Sequence, residues 1–167
     1  MRIKKVKITK YSRIHMIYDS GPGNRDEFGF TCFDKARPEF YKAMEAMKVH
    51  VLDMCELPED YLERITIRGV SYSYGGENDT MGATISAAMS LENSYPALNL
   101  LTPHKASAMY SPNTPDDVKQ LLTGDCIEAL LALQAECIKC IEGERAQGSL
   151  FPAESASPDN IEVEQLN

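Results

Sequence analysis

Long apolar runs are missing from this 167-residue sequence. None approaches the ~18–20 residues that a membrane-spanning helix requires. The opening Met1-Arg2-Ile3-Lys4-Lys5-Val6-Lys7 also lacks the apolar stretch of a secretory leader. Together these absences predict a soluble, cytosolic chain. Phosphate-loop, His-Glu-x-x-His and Gly-x-Ser-x-Gly patterns do not occur, so the common linear signatures of nucleotide hydrolases, zinc peptidases and serine hydrolases are excluded. A Gly-x-Gly does occur in Ser20-Gly21-Pro22-Gly23-Asn24-Arg25-Asp26. There Asp26 takes the place of the third glycine, and strand-like residues follow where a dinucleotide loop needs a helix. That segment is a turn.

What is present is a chain with 43% apolar residues and a net charge of −8, which suits one folded domain rather than a disordered one. The charge is unevenly spread. Arg2, Lys4, Lys5, Lys7, Lys10 and Arg13 lie in the first thirteen residues with no acid among them. From Gly69 to His104 there is no lysine or arginine, and beyond Phe151 only acids carry charge. Acidity on this scale disfavours tight duplex DNA binding, which draws on many phosphate contacts. Lysines on a first strand commonly blunt its edge against aggregation, although they also suit a phosphate or an acidic partner.

The five cysteines, Cys32, Cys55, Cys126, Cys137 and Cys140, are odd in number and predict reduced thiols. Cys137 and Cys140 form a C-x-x-C pair, but no second pair and no histidine at ligand spacing accompany it. Core-facing thiols are expected, with no metal and no cofactor.

Alternation predicts strands over Lys4–Tyr11, Arg13–Tyr18 and Glu27–Phe33. Pro38 opens a helix to Cys55, with Phe40, Met44, Met47, Val51 and Met54 as its apolar stripe. Next comes a hairpin, Ile65–Tyr74 and Met81–Leu91, around the polar loop Gly75–Thr80. Ala97–Leu101 reads as a further strand and Pro115–Leu122 as a short helix. A long helix spans Asp125–Glu142, with Ile127, Leu130, Leu131, Gln134, Ile138 and Ile141 facing inward and Cys137 beside them. The order β-β-β-α-β-β-β-α predicts an α+β fold, an antiparallel sheet of five to six strands with helices on one face. Residues 1–142 form the domain, and residues 143–167 a flexible acidic tail.

Two sets of residues are candidates for function. On the hairpin, Arg68, Tyr72 and Tyr74 share one face of the first arm, with Thr84 and Ser86 offering hydroxyls across the ladder. Arginine forks onto phosphate and tyrosine stacks on bases, so this surface suits a small nucleotide or single-stranded nucleic acid. It equally suits a homo-oligomer contact. In the tail, Gln147-Gly148-Ser149-Leu150-Phe151 places two large apolar residues where no core can use them. It resembles the motif by which bacterial and phage replication and repair proteins dock on the sliding clamp. That resemblance implies that Gln147, Ser149, Leu150 and Phe151 contact a partner, Leu150 and Phe151 filling an apolar cleft. Gly148 departs from the pattern by lacking side-chain contacts. The alternative is that Leu150 and Phe151 fold back onto the domain.

The stretches Leu57-Pro58-Glu59, Ile67 through Glu77, Thr80 through Ser86 and Gly143-Glu144-Arg145-Ala146-Gln147 resemble small proteins encoded in bacteriophage and prophage genomes. The likeness covers most of residues 1–151 and implies a place in the cytoplasm of an infected or lysogenic bacterium. It implies no activity and no site residues. The expectation is a non-enzymatic phage accessory protein tied to DNA replication or recombination through its tail. The alternative is an oligomeric binding protein that sequesters a host nucleotide immune signal. An enzyme acting on small nucleotides is a third reading, with no catalytic residue assigned.

Overall fold

A computed structural model describes residues 1–21 and 23–146, except for the side chain of Asn24. Seven strands make one sheet: β1 (Arg2–Ile8), β2 (Ile14–Gly21), β3 (Asn24–Cys32), β4 (Ile65–Gly75), β5 (Thr80–Met89), β6 (Leu98–Leu101) and β7 (Lys105–Ala106). Their order is β3-β2-β1-β4-β5-β6, with β7 also paired to β5, and every pair is antiparallel. The helices are α1 (Pro38–Glu45), α2 (Lys48–Met54) and α3 (Gly124–Ile141), with a 3₁₀ turn over Glu59–Arg64. The fold is α+β, as the sequence predicts; β7 is the strand that periodicity missed, being two residues long.

The alternation in each strand decides the layering. Val6, Met16, Val70, Tyr72, Ala83 and Ile85 face the helices and are buried. Against them lie Phe40, Met44, Met47, Val51 and Met54, all buried as the stripe predicts. Those five do not ride on one helix, however. The chain tightens at Ala46–Met47, where the Met47 N–H donates to the Met44 carbonyl at 3.0 Å, an i→i−3 turn that splits the segment into α1 and α2 without losing the stripe.

The α3 stripe is a correction. Cys126, Leu130, Leu133, Cys137 and Cys140 are the buried residues, while Leu131 is 50% exposed. Steps of 4, 3, 4 and 3 through the three cysteines make a continuous seam. The larger Ile127 and Ile138 are only partly buried at the margin of this seam. Thr123 caps this helix, its hydroxyl accepting the Cys126 N–H at 3.2 Å.

Pro115–Leu122 is not a helix. The Asp117 carboxylate accepts the Lys119 N–H at 3.0 Å, and the Ala106 carbonyl accepts the Leu122 N–H at 2.8 Å. A side chain and a strand distant in sequence thus take the donors that a helix would use. Beyond α3 the chain stays fastened through Ala146: Glu144 pairs with Arg37, and the Ala146 N–H donates to the Lys35 carbonyl at 3.0 Å. The docking-like residues Gln147, Ser149, Leu150 and Phe151 lie outside the described residues.

Candidate functional site

The sheet has two faces and the helices take one. Across the other, the register sets side chains in rows. One row runs Thr31, His15, Lys7, Gly69, Ser86 and Leu101; the next runs Gly29, Ile17, Lys5, Ser71 and Thr84. Lys5 and Lys7 occupy alternate positions of β1 and therefore project to the same side. Arg68 reaches this region by a different route. The β4–β5 register shifts between Ile67 and Gly69, so Arg68 is the extra residue of a bulge, a device that re-aims a side chain.

Gly69 makes the junction of β1 and β4 possible. A Cβ there would lie 2.6 Å from the Val6 carbonyl oxygen and 3.0 Å from Lys7 Cβ, closer than any side chain tolerates. The missing side chain leaves a cleft of about 210 Å³ lined by Lys5, Lys7, Arg68, Ser71 and Ser86 together with strand backbone. Ser86 Oγ donates to the Gly69 carbonyl at 3.4 Å. Among the described residues, Lys5, Lys7 and Arg68 make no ion pair. Three cations around one cleft, flanked by two hydroxyls, give it a positive charge and hydrogen-bond donors that are chemically suited to an anion.

The hairpin candidates do not form a single surface. Tyr72 lies opposite Ala83 and Tyr74 opposite Met81, on the helix side, whereas Ser71 lies opposite Thr84 on the open side. Tyr72 is buried, and its hydroxyl donates to the Leu130 carbonyl at 2.8 Å. Tyr74 donates to the Ile3 carbonyl at 2.8 Å and accepts from Gln134 Nε2 at 2.7 Å. Burial raises both phenols, Tyr74 to about 12. The physical reason for the division is the bulge at Arg68, which breaks the two-residue alternation of β4: Ile65 and Ile67 are buried before it and Val70 and Tyr72 after it, so Arg68 no longer shares the tyrosines' face. Arg68, Thr84 and Ser86 belong to the open side; Tyr72 and Tyr74 are fold residues.

A larger cleft, about 500 Å³, opens at the other end of β1, lined by Arg2, Lys4, Asp19, Glu27, Tyr74 and Asp79 among others. Its charges are largely matched from within. Arg2 grips Asp19 through Nε at 3.1 Å and Nη2 at 2.9 Å, and its Nη1 lies 3.5 Å from Asp79. Lys4 pairs with Glu27. The Arg2 guanidinium holds the Asp19 carboxyl below its usual range, and it stacks 4.7 Å above the Tyr74 ring. Arg25 at its rim makes no ion pair among the described residues, but three acids, Asp19, Glu27 and Asp79, line this cleft, whereas no acid lines the smaller one.

The C-x-x-C thiols belong to the core. Burial pushes Cys137 far up and Cys140 to about 12, so neither is a ready nucleophile. Among the described residues no three His, Cys, Asp or Glu side chains cluster as a metal site, and no helix is long and apolar enough to cross a membrane. Sequence reasoning missed Lys5, Lys7 and Ser71 as site residues. The Lys5/Lys7 alternation was visible, but their approach to Arg68 depends on β1 pairing with β4 across more than sixty residues. No protein-family model, curated protein or solved structure matches the chain.

Proposed function

We propose that the chain is a binding protein for a phosphate-bearing ligand of the nucleotide class, held on the open face of the sheet. The observation that carries this reading is the set of unpaired cations, Lys5, Lys7 and Arg68, around the cleft beside Ser71 and Ser86. A volume of about 210 Å³ is below the ~300–1,000 Å³ of sites that enclose a drug-sized molecule. It seats a phosphoryl group and leaves the rest of the ligand on the flat surface of Ser71, Thr84 and His15. Arg68 supplies the two-pronged contact and the lysines supply charge.

Calorimetry against mononucleotides, cyclic dinucleotides, an ADP-ribose-type ligand and pyrophosphate tests it. Binding by a nucleotide, weakened at least about tenfold by Arg68→Ala, is the expected result. Equal affinity for pyrophosphate would reduce the site to an anion site, and no heat from any ligand would remove the proposal.

The β6 edge favours association of copies of this chain. Leu98 and Leu101 on this short outer strand are exposed, as is Tyr95 just before it, and no charged residue occurs from Asn93 to Pro103. An uncharged apolar edge pairs with its own copy without like-charge repulsion. Sedimentation should show a dimer that Leu101→Lys dissociates; a monomeric parent would dismiss the idea. Docking through Gln147, Ser149, Leu150 and Phe151 is a separate proposal resting on the sequence, tested by comparing clamp binding of the full chain with that of Phe151→Ala.

A further inference from the structure

On the same open face, at the end of the β4–β5 hairpin, Ser73 Oγ and His104 Nε2 are 2.8 Å apart. Ser73 sits on β4 and His104 in the connection before β7, thirty-one residues away in sequence. The floor beneath the pair is Gly82. A Cβ on Gly82 would lie 2.5 Å from His104 Nε2 and 2.8 Å from Ser73 Oγ, so the contact exists only because this position has no side chain. A second hydroxyl, that of Tyr110, lies 3.5 Å from the same nitrogen, and its ring runs nearly parallel to the imidazole at 18°. Tyr110 is held in turn by the hairpin loop, since a Cβ on Gly76 would lie 2.7 Å from the Tyr110 carbonyl oxygen. Two glycines thus make room for a serine, a histidine and a tyrosine at the surface. This pair does not depend on the phosphate reading.

We propose that Ser73 is an activated nucleophile for acyl transfer from small carboxylic esters, with His104 as its general base and Tyr110 as the donor to the developing oxyanion. With the ring proton on Nδ1, Nε2 accepts the Ser73 hydroxyl proton as Oγ attacks the ester carbonyl carbon. The carbonyl oxygen takes up the negative charge and meets the Tyr110 hydroxyl. Collapse re-forms the carbonyl and breaks the bond to the alkoxy oxygen, which leaves with the proton from Nε2. Ser73 then carries the acyl group. A water molecule attacks that acyl carbon, giving its proton to Nε2, and His104 returns it to Ser73 Oγ as the carboxylic acid departs. Among the described residues no carboxylate bonds His104, so this is a pair rather than a triad, and slow turnover follows.

A fluorophosphonate probe on the full chain tests the assignment, with peptide mass mapping as the readout. Attack forms the Ser73 Oγ–P bond and releases fluoride, and the adduct should map to Ser73. His104→Gln should slow labelling about 100-fold, the usual worth of a general base. Gly82→Ala should do the same by displacing the imidazole, while Ser73→Ala should abolish both labelling and hydrolysis of 4-nitrophenyl acetate. Circular dichroism of each variant separates loss of the pair from loss of fold. No adduct at Ser73, or labelling of a folded His104→Gln protein at the parent rate, would overturn the proposal.

Discussion

Substituting Gly69 by alanine tests the central joint of the sheet and the anion site together. The added Cβ would stand 2.6 Å from the Val6 carbonyl oxygen, 3.0 Å from Lys7 Cβ and 3.2 Å from Lys7 Cα. All three of those atoms are backbone or bound directly to it, so no side chain can swing aside. β1 cannot retreat freely, because β2 holds its other edge along the register from Arg2 to Ile8. Relief therefore comes from parting β1 and β4, whose backbone ladder pairs Lys5–Ser71, Val6–Val70 and Lys7–Gly69. Overpacking of this kind costs about 1–3 kcal/mol. Weakening one or two ladder hydrogen bonds adds about 0.5–1.5 kcal/mol each. The expected loss is about 1.5–6 kcal/mol, read as a lower urea midpoint at unchanged slope.

The same change should weaken ligand binding, since Lys5 and Lys7 lie on one side of that joint and Arg68 on the other. Gly124→Ala is the internal control. Nothing lies within 4 Å of its added Cβ, and it opens α3, so it should be neutral or stabilise by up to about 1 kcal/mol. Equal midpoints for Gly69→Ala and the parent would refute the close-approach argument.

Other expectations follow from the same contacts. Asp19 is 3% exposed and its carboxyl is held below the ordinary 3.8 by its hydrogen bonds to Arg2, so its contribution is present above that value and fades as pH falls through the folded one. Arg2→Gln should cost about 2–3 kcal/mol near neutrality, less than the about 3–5 of a fully buried pair because Arg2 is partly exposed, and the deficit should shrink in acid; a pH-independent deficit would count against the pairing. Tyr72→Phe deletes the hydroxyl that reaches the Leu130 carbonyl and should lower stability by about 1 kcal/mol in chemical denaturation. In the native protein a thiol reagent should modify half-exposed Cys55 first, with Cys126, Cys137 and Cys140 protected until unfolding. Simultaneous reaction of all five would contradict the thiol-lined seam.

Much of the fold was legible because burial leaves a local imprint. The stripe Phe40, Met44, Met47, Val51 and Met54 survives the break at Ala46–Met47, since hydrophobic spacing depends on which way side chains point and not on unbroken helix hydrogen bonds. The hairpin arms were equally plain from the alternation of Met81, Ala83, Ile85, Ala87 and Met89. The α3 seam was misplaced by about one position: three of its five buried residues are cysteines, which a scan for large apolar residues passes over, and that scan took Leu131 in place of Leu133. The helix expected at Pro115–Leu122 failed because Ala106, distant in sequence, offers its backbone as a partner.

Residue order by itself determined six of the seven strands, the buried face of β5, the stripe carried by α1 and α2 and the α+β class, all consequences of periods of two and of about 3.6 residues. It also determined the skewed charge, with its basic opening strand. Tertiary structure decided which polar groups meet. Pairing of β1 with β4 brings Lys5 and Lys7 to Arg68, and Gly82 lets His104 reach Ser73. It also sent Tyr72 and Tyr74 to the core and left Thr84 and Ser86 on the open face. The reason is that local periodicity orients a side chain only relative to its own strand. Which strand lies alongside, and how closely, is settled by long-range pairing and by the glycines that permit it.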